Sequence, residues 1–283
     1  MRIDLHTHSS VSDGTDTPTV LVHKAHDAGL DVIALTDHDT FDGVVQAVEA
    51  GKRLGVTVVR GIEMSCEVDG TSVHLLGYGC DPMNRALLAE LTKNREGRNG
   101  RLQAFADTFT ALGMPLTVED IKAQSGLSPS VGRPHVADAL VAKGYVADRL
   151  EAFDLWLAED RPGYVGRYST PLGEGIDLVH GAGGVAVLAH PWGRASRALL
   201  TAEFIATLTR DHGLDGIEVD HVDHDQTDRE LLFNLGERLG LIRTGSSDYH
   251  GEGKAGVGLG LNQTRESAYR ELVVRIRKRG GKP

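Results

Sequence analysis

The chain has 283 residues, of which 40% are hydrophobic and 25% charged, and it carries a formal net charge of −10. That balance excludes a disordered or fibrous polymer and gives enough material for one large core carrying an insertion. The acidic surplus argues against duplex DNA as a partner, although a locally positive site can still take an acidic substrate. No apolar run is long enough for a bilayer and no basic segment leads into an apolar one as in a secretory signal, so the expected setting is the cytoplasm, with Cys66 and Cys80 as reduced thiols.

The first predicted element is the strand Arg2-Ile3-Asp4-Leu5-His6-Thr7-His8. Alternate side chains of a strand point to one side, so His6 and His8 can converge on one metal ion. Asp13 follows in Ser12-Asp13-Gly14. A helix is predicted over 18–28, with Pro18 in its first turn, Thr17 as cap and Gly29 at its end. The apolar run Val32-Ile33-Ala34-Leu35 then ends in Thr36-Asp37-His38-Asp39, and a second helix is predicted over 44–54. A third strand, Val58-Val59-Arg60-Gly61-Ile62, leads to Glu63, and His74 lies in the next one. This alternation predicts right-handed βα units and a parallel sheet.

From Met83 to about Gly166 the pattern changes to consecutive helices, over 85–112, 118–125, 133–143 and 150–159, read as an inserted helical cap. Lys93, Arg95, Arg98 and Arg101 on its first helix are interrupted by Glu90 and Glu96 and read as a solvated face. Arg133 and His135, in Val131-Gly132-Arg133-Pro134-His135, are the expected phosphate contacts of the cap, since a guanidinium grips two phosphate oxygens at once. Strand and helix alternation then resumes. Val185-Ala186-Val187-Leu188-Ala189 ends in His190, followed by Arg194 as a further substrate contact. Gly216 to Asp220 leads into His221 and His224, the two expected donors of a proton to a leaving group. A last strand ends in Asp248 and His250. Apolar strands that repeatedly terminate in His, Asp or Glu are hard to explain by packing, and in a β/α barrel such strand ends gather on one face.

By the motifs His6-Thr7-His8, Ser12-Asp13-Gly14, Thr36-Asp37-His38-Asp39, Gly61-Ile62-Glu63, His74, Ala189-His190-Pro191 and Ser247-Asp248-Tyr249-His250-Gly251, the chain resembles the polymerase and histidinol phosphatase (PHP) family of metal-dependent phosphoesterases over nearly its whole length. It is most similar to the stand-alone members whose helical insertion accompanies action on nucleoside 3′,5′-bisphosphates and short oligonucleotides. The resemblance implies a distorted (β/α)7 barrel formed by residues 1–82 and 167–283, with the α-helical cap inserted over 83–166. It also implies three divalent ions drawn from manganese, iron and zinc. His6, His8, Glu63 and Asp248 would hold the first, Glu63, His74 and His190 the second, and Asp13, His38 and His250 the third. Asp37 and Asp39 would orient ligands from outside. Mixed imidazole and carboxylate donors suit such metals better than calcium or magnesium.

Three divalent ions against three carboxylates leave a net site charge of about +3, which attracts phosphate, and coordination lowers the pKa of bound water to about 7. The expected reaction is attack of metal-bound hydroxide on a phosphate ester of a nucleotide or of the 5′ end of short RNA. A histidinol-phosphate-type phosphatase remains the alternative of like chemistry, and a catalytically silent metal-binding regulatory module the alternative of another class. No membrane or obligate protein partner is expected. Ser246 and Ser247 stand where relatives often have another glycine, and Asp220 where many have an aromatic residue.

Overall fold

The computed structural model describes residues 1–126, 128–193 and 196–283. Its sheet runs β1 (Ile3–Thr7), β2 (Val32–Leu35), β3 (Thr57–Val68), β4 (Thr71–Tyr78), β6 (Val185–Leu188), β7 (Gly216–Asp220) and β8 (Ile242–Gly245), with the two-residue β5 (Thr170–Pro171) beside β3. A parallel bridge between Thr7 and Tyr249 brings the two ends of this path together, giving a distorted (β/α)7 barrel. The parallel order is interrupted at β4, which is antiparallel to both β3 and β6. The cause is local: Asp69 (φ 49°) and Gly70 (φ 79°) are both left-handed, the backbone of a two-residue hairpin turn.

The predicted outer helices form as the cap signals indicate. In α1 (Pro18–Asp27) the Thr17 side chain accepts from the Val20 amide, and α2 (Val44–Leu54) ends on left-handed Gly55. Both pack their apolar faces on Ile33, Leu35 and Val58. The predicted helix 85–112 is two helices, α3 (Arg85–Gly100) and α4 (Leu102–Ala111), broken around Arg101. Leu87 and Leu91 of α3 join the core of the barrel side, whereas Leu102, Phe105 and Phe109 of α4 join a separate core. That second core also takes Ile121 from α5 (Val118–Ser125), Val136 and Leu140 from α6 (Arg133–Ala142), and Ala152 from α7 (Arg149–Ala152). The expected helix over 150–159 is α7 continued by one π-helical turn, Phe153–Leu157. Three more helices, α8 (Leu172–Gly181), α9 (Ala202–Asp211) and α10 (Gln226–Leu239), cover the second half of the barrel. The last, α11 (Glu266–Lys278), packs Leu272 and Ile276 on Ile3, Tyr78 and Val185.

Cys66 and Cys80 are buried and free; they do not pair across the hairpin. No described helix is long and apolar enough to cross a membrane.

Candidate metal centre and its cavity

The residues that end the strands converge on one another. Alternation in β1 turns His6 and His8 the same way, and both are fully buried. Their Nε2 atoms lie 3.0 Å apart. Glu63 Oε2 is 3.3 Å from His6 Nε2 and 3.2 Å from His8 Nε2, and Asp248 Oδ1 is 3.4 and 3.3 Å from the same two atoms. A tetrahedral site with ligand bonds of about 2.0–2.1 Å has edges of about 3.3–3.4 Å, so these four atoms match the shell of one transition-metal ion.

Glu63 reaches a second group through its other oxygen. Oε1 is 2.7 Å from His74 Nδ1 and 3.2 Å from His190 Nε2, while Oε2 lies 3.1 Å from His38 Nδ1. His38 Nδ1 makes no hydrogen bond to that carboxylate, as expected of two donors facing a common ion rather than each other. A third group surrounds Asp13, with His38 Nε2 at 3.5 Å, His250 Nε2 at 3.4 Å and His8 Nδ1 at 3.7 Å. His8 and His38 therefore each stand between two groups, a sharing absent from the sequence-based ligand sets.

The electrostatics of the cluster point the same way. Burial opposes charging of His8, yet bonds to Asp248 and Glu63 and the charge of Asp13 outweigh it and push its pKa up to about 10. The carboxylates of the cluster demand positive charge from whatever stands among them. Mixed imidazole and carboxylate donors meet that demand with borderline divalent metals.

A ring of outer contacts fixes the donors. Glu218, unremarked in the sequence, is fully buried at the middle of β7. Its carboxylate accepts from His6 Nδ1 at 3.1 Å, from the His190 amide at 2.9 Å and from the Ser246 hydroxyl. A His6 proton on Nδ1 leaves Nε2 as the donor to metal. Burial opposes ionisation of Glu218, but the neighbouring His6 overrides it and holds the group far below the ordinary range. Asp4 accepts from the Ser247 amide and hydroxyl at 3.0 and 2.6 Å, and burial pushes its pKa up to about 6. The two serines that depart from the family pattern thus each bond an outer carboxylate. Asp37 accepts from Ser9 and Ser12 around the loop that carries Asp13. Asp39, left-handed at φ 55°, accepts from Ser65, Asn94 and Arg98 and so ties α3 to the loop of His38.

His224 is buried among backbone groups of its own loop and of Trp192. Its Nδ1 bonds the Val219 carbonyl at 2.9 Å and its Nε2 accepts from the Trp192 amide at 3.3 Å, so both nitrogens hold backbone. His221 is fully buried; its Nδ1 accepts from the Asp223 amide, and its Nε2 faces Asp248 Oδ2 at 3.4 Å without a hydrogen bond. His135 likewise faces inward, its Nδ1 accepting from the Gly132 amide at 3.0 Å as a cap of α6. Arg194 lies outside the described residues.

The cluster opens into a cavity of about 1110 Å³ between barrel and helices. Arg133 lines it as expected, and so, unexpectedly, do Arg98 and Arg101 together with Arg167. The face read as solvated from the sequence divides: Lys93 stays exposed and Arg95 half-buried, whereas Arg98 and Arg101 are buried, because α3 lies across the barrel end and meets Asp39. Burial, and then the neighbouring Arg167, Arg133 and Arg98, hold the Arg101 guanidinium well below its ordinary pKa. Arg167 is pushed down to about 9 by burial and Arg98. Guanidiniums that crowd at such cost form a wall ready for an anion.

Similarity to known proteins extends over nearly the whole chain. The PHP-domain family model matches residues 4–132. A 3′,5′-nucleoside bisphosphate phosphatase of Chromobacterium violaceum is 34% identical over 97% of this chain and 98% of its own length. A 5′-3′ exoribonuclease of Haemophilus influenzae is 31% identical over 88% of this chain and 90% of its own. Among solved structures, one from Bifidobacterium adolescentis assigned to the metal-dependent phosphoesterases superposes with a TM-score of 0.91 at 36% identity, covering 96% of both chains.

Proposed function

The chain belongs to the PHP family, and from that premise we propose that it is a metal-dependent phosphoesterase acting on nucleotides: a nucleoside 3′,5′-bisphosphate phosphatase, a 5′-3′ exonuclease on short RNA, or both. The observation that carries the reading is a single cavity with a metal-type donor cluster at its floor and four arginines in its wall.

We assign His6, His8, Glu63 and Asp248 to a first ion, Glu63, His74 and His190 to a second, and Asp13, His38 and His250 to a third, the ions being manganese, iron or zinc. Bound there, they supply Lewis-acid activation of a phosphate ester and of the water that attacks it. The protein's own part is to hold and orient. Glu218 fixes the His6 tautomer, His221 stands beside Asp248, and Arg133 with Arg98, Arg101 and Arg167 binds the remaining phosphate charge of the substrate. Enclosure between barrel and helices limits bulk water around the ester. Lys254, on the cavity wall and 2.7 Å from Asp248 Oδ2, adds a cation beside the reacting phosphate. Buried Cys66 and Cys80 thiols accord with a cytoplasmic setting.

The test is phosphate release from adenosine 3′,5′-bisphosphate, AMP, histidinol phosphate and a short 5′-phosphorylated RNA by manganese-loaded protein, beside an Asp248→Asn variant with metal content read on both. Activity on the bisphosphate or the RNA that collapses in the variant is the expected result. Activity confined to histidinol phosphate, or full metal occupancy without turnover, would sink the reading.

A further inference from the structure

The segment from Arg149 to Glu159 crosses the cavity as a strap pinned at both ends. At one end Arg149 Nη1 donates to the Asp13 carbonyl at 3.2 Å, while its Nε and Nη2 grip Asp138 of α6 at 2.6 Å each. At the other, Glu159 Oε1 accepts from the Ser72 amide at 3.0 Å, at the start of the strand that carries His74. The strap therefore runs from the neighbourhood of one donor group to that of another. Between the pins lies the π-helical turn, a distortion often found at functional sites.

The strap lines the cavity with acidic Asp154 and Glu159 and with an apolar patch between them and Arg149. Leu150 and Phe153 form that patch, joined by Pro134 and Val141 of α6. Leu150 is 70% exposed, so its side chain is open to a ligand in the cavity. Arg133 stands 5.8 Å from the centre of the Phe153 ring, so the guanidinium wall and the apolar surface adjoin. A ligand filling both must carry phosphate at one end and a flat apolar body at the other.

We infer that Phe153 and Leu150 form a nucleobase platform, on which the base of the substrate rests while its phosphates engage the arginines and the donor cluster. This rests on the nucleotide reading above. Contact with a ring face is tolerant of base identity, since every base has a π-face. The platform therefore selects for the presence of a base rather than for one base.

The experiment compares adenosine 3′,5′-bisphosphate with its abasic analogue, in which a tetrahydrofuran ring bears the same two phosphates. Both are measured by kcat/KM on manganese-loaded protein and by equilibrium binding to the protein without added metal. Wild type should favour the adenosine compound about tenfold or more in both assays. Phe153→Ala should reduce that ratio about tenfold, and Leu150→Ala, which removes an exposed side chain and leaves the helical core intact, about threefold. A ratio unchanged in both variants, including one in which the two ligands weaken equally, overturns the platform. Because binding is read apart from turnover, absence of hydrolysis would sink the phosphoesterase reading while the base-dependent affinity still decides this one.

Discussion

On the barrel side of the cavity, imidazoles and carboxylates stand at strand ends, and nearly all of them are buried and braced by a second carboxylate or by backbone. On the helical side, guanidiniums gather from α3, from its junction with α4, from α6 and from the loop of Arg167, and repel one another across the gap. The first wall is a set of donors in want of cations, and the second a set of cations on the same cavity, joined to the first directly where Arg98 meets Asp39. A phosphate ester bridged by metal would engage both. The contrast also separates rigidity from reach: strands fix donor atoms to fractions of an ångström, while long arginines adapt to differing substrates.

Changes on the barrel wall should cost most. Glu63→Gln removes the carboxylate common to two donor groups, and phosphate release should fall about a thousandfold or more with loss of bound metal in elemental analysis. Glu218→Gln leaves every donor in place but no longer anchors the His6 tautomer; metal titration should show affinity weakened about 10–100-fold. On the opposite wall, Arg133→Ala should raise KM about 10–100-fold with kcat little changed, and Arg133→Lys should recover only part, since an ammonium cannot form the bidentate pair. Were Arg133→Ala to lower kcat and leave KM alone, the division of labour between the walls would be wrong.

His224→Asn should leave turnover close to wild type and lower stability by about 1–2 kcal/mol in urea unfolding, because that ring ties backbone to backbone. The smallest effect is a pH slope. Burial holds His135 and His224 below the ordinary value of 6.5, so each is neutral when folded while the unfolded chain takes up protons near 6.5. The unfolded state then binds more protons below that pH, and the two histidines withdraw stability as pH falls through 6.5 and below. The urea midpoint should drop over that range, less steeply in His224→Asn.

Much of this was legible before any coordinates. The strand-end residues His6, His8, His38, His190, Asp248 and His250 announce themselves because packing gives a strand no reason to end in a charge. Glu218 escaped notice, although Gly216-Ile217-Glu218 repeats Gly61-Ile62-Glu63 letter for letter and so carried a signal. Arg98 and Arg101 were not readable at all, since a basic helix face becomes a binding wall only once the helix is laid across the barrel end. His224 and His135 misled for a related reason. Residue type and strand-end position announce chemistry, but whether a ring nitrogen is already engaged by backbone depends on loop geometry that spacing does not encode. The break around Arg101 belongs with these: helical periodicity continues across it, and it is the division between two cores that parts α3 from α4.

The left-handed backbones at Asp39 (φ 55°), His190 (φ 27°) and Asp248 (φ 54°) carry a practical warning. A designer seeking heat resistance is drawn to such positions, since glycine relieves the conformation at the expense of a more mobile unfolded chain. Here each replacement would delete a side chain that the cavity or its bracing uses, Asp39 leaving buried Arg98 without its carboxylate, so all three positions are closed to that remedy.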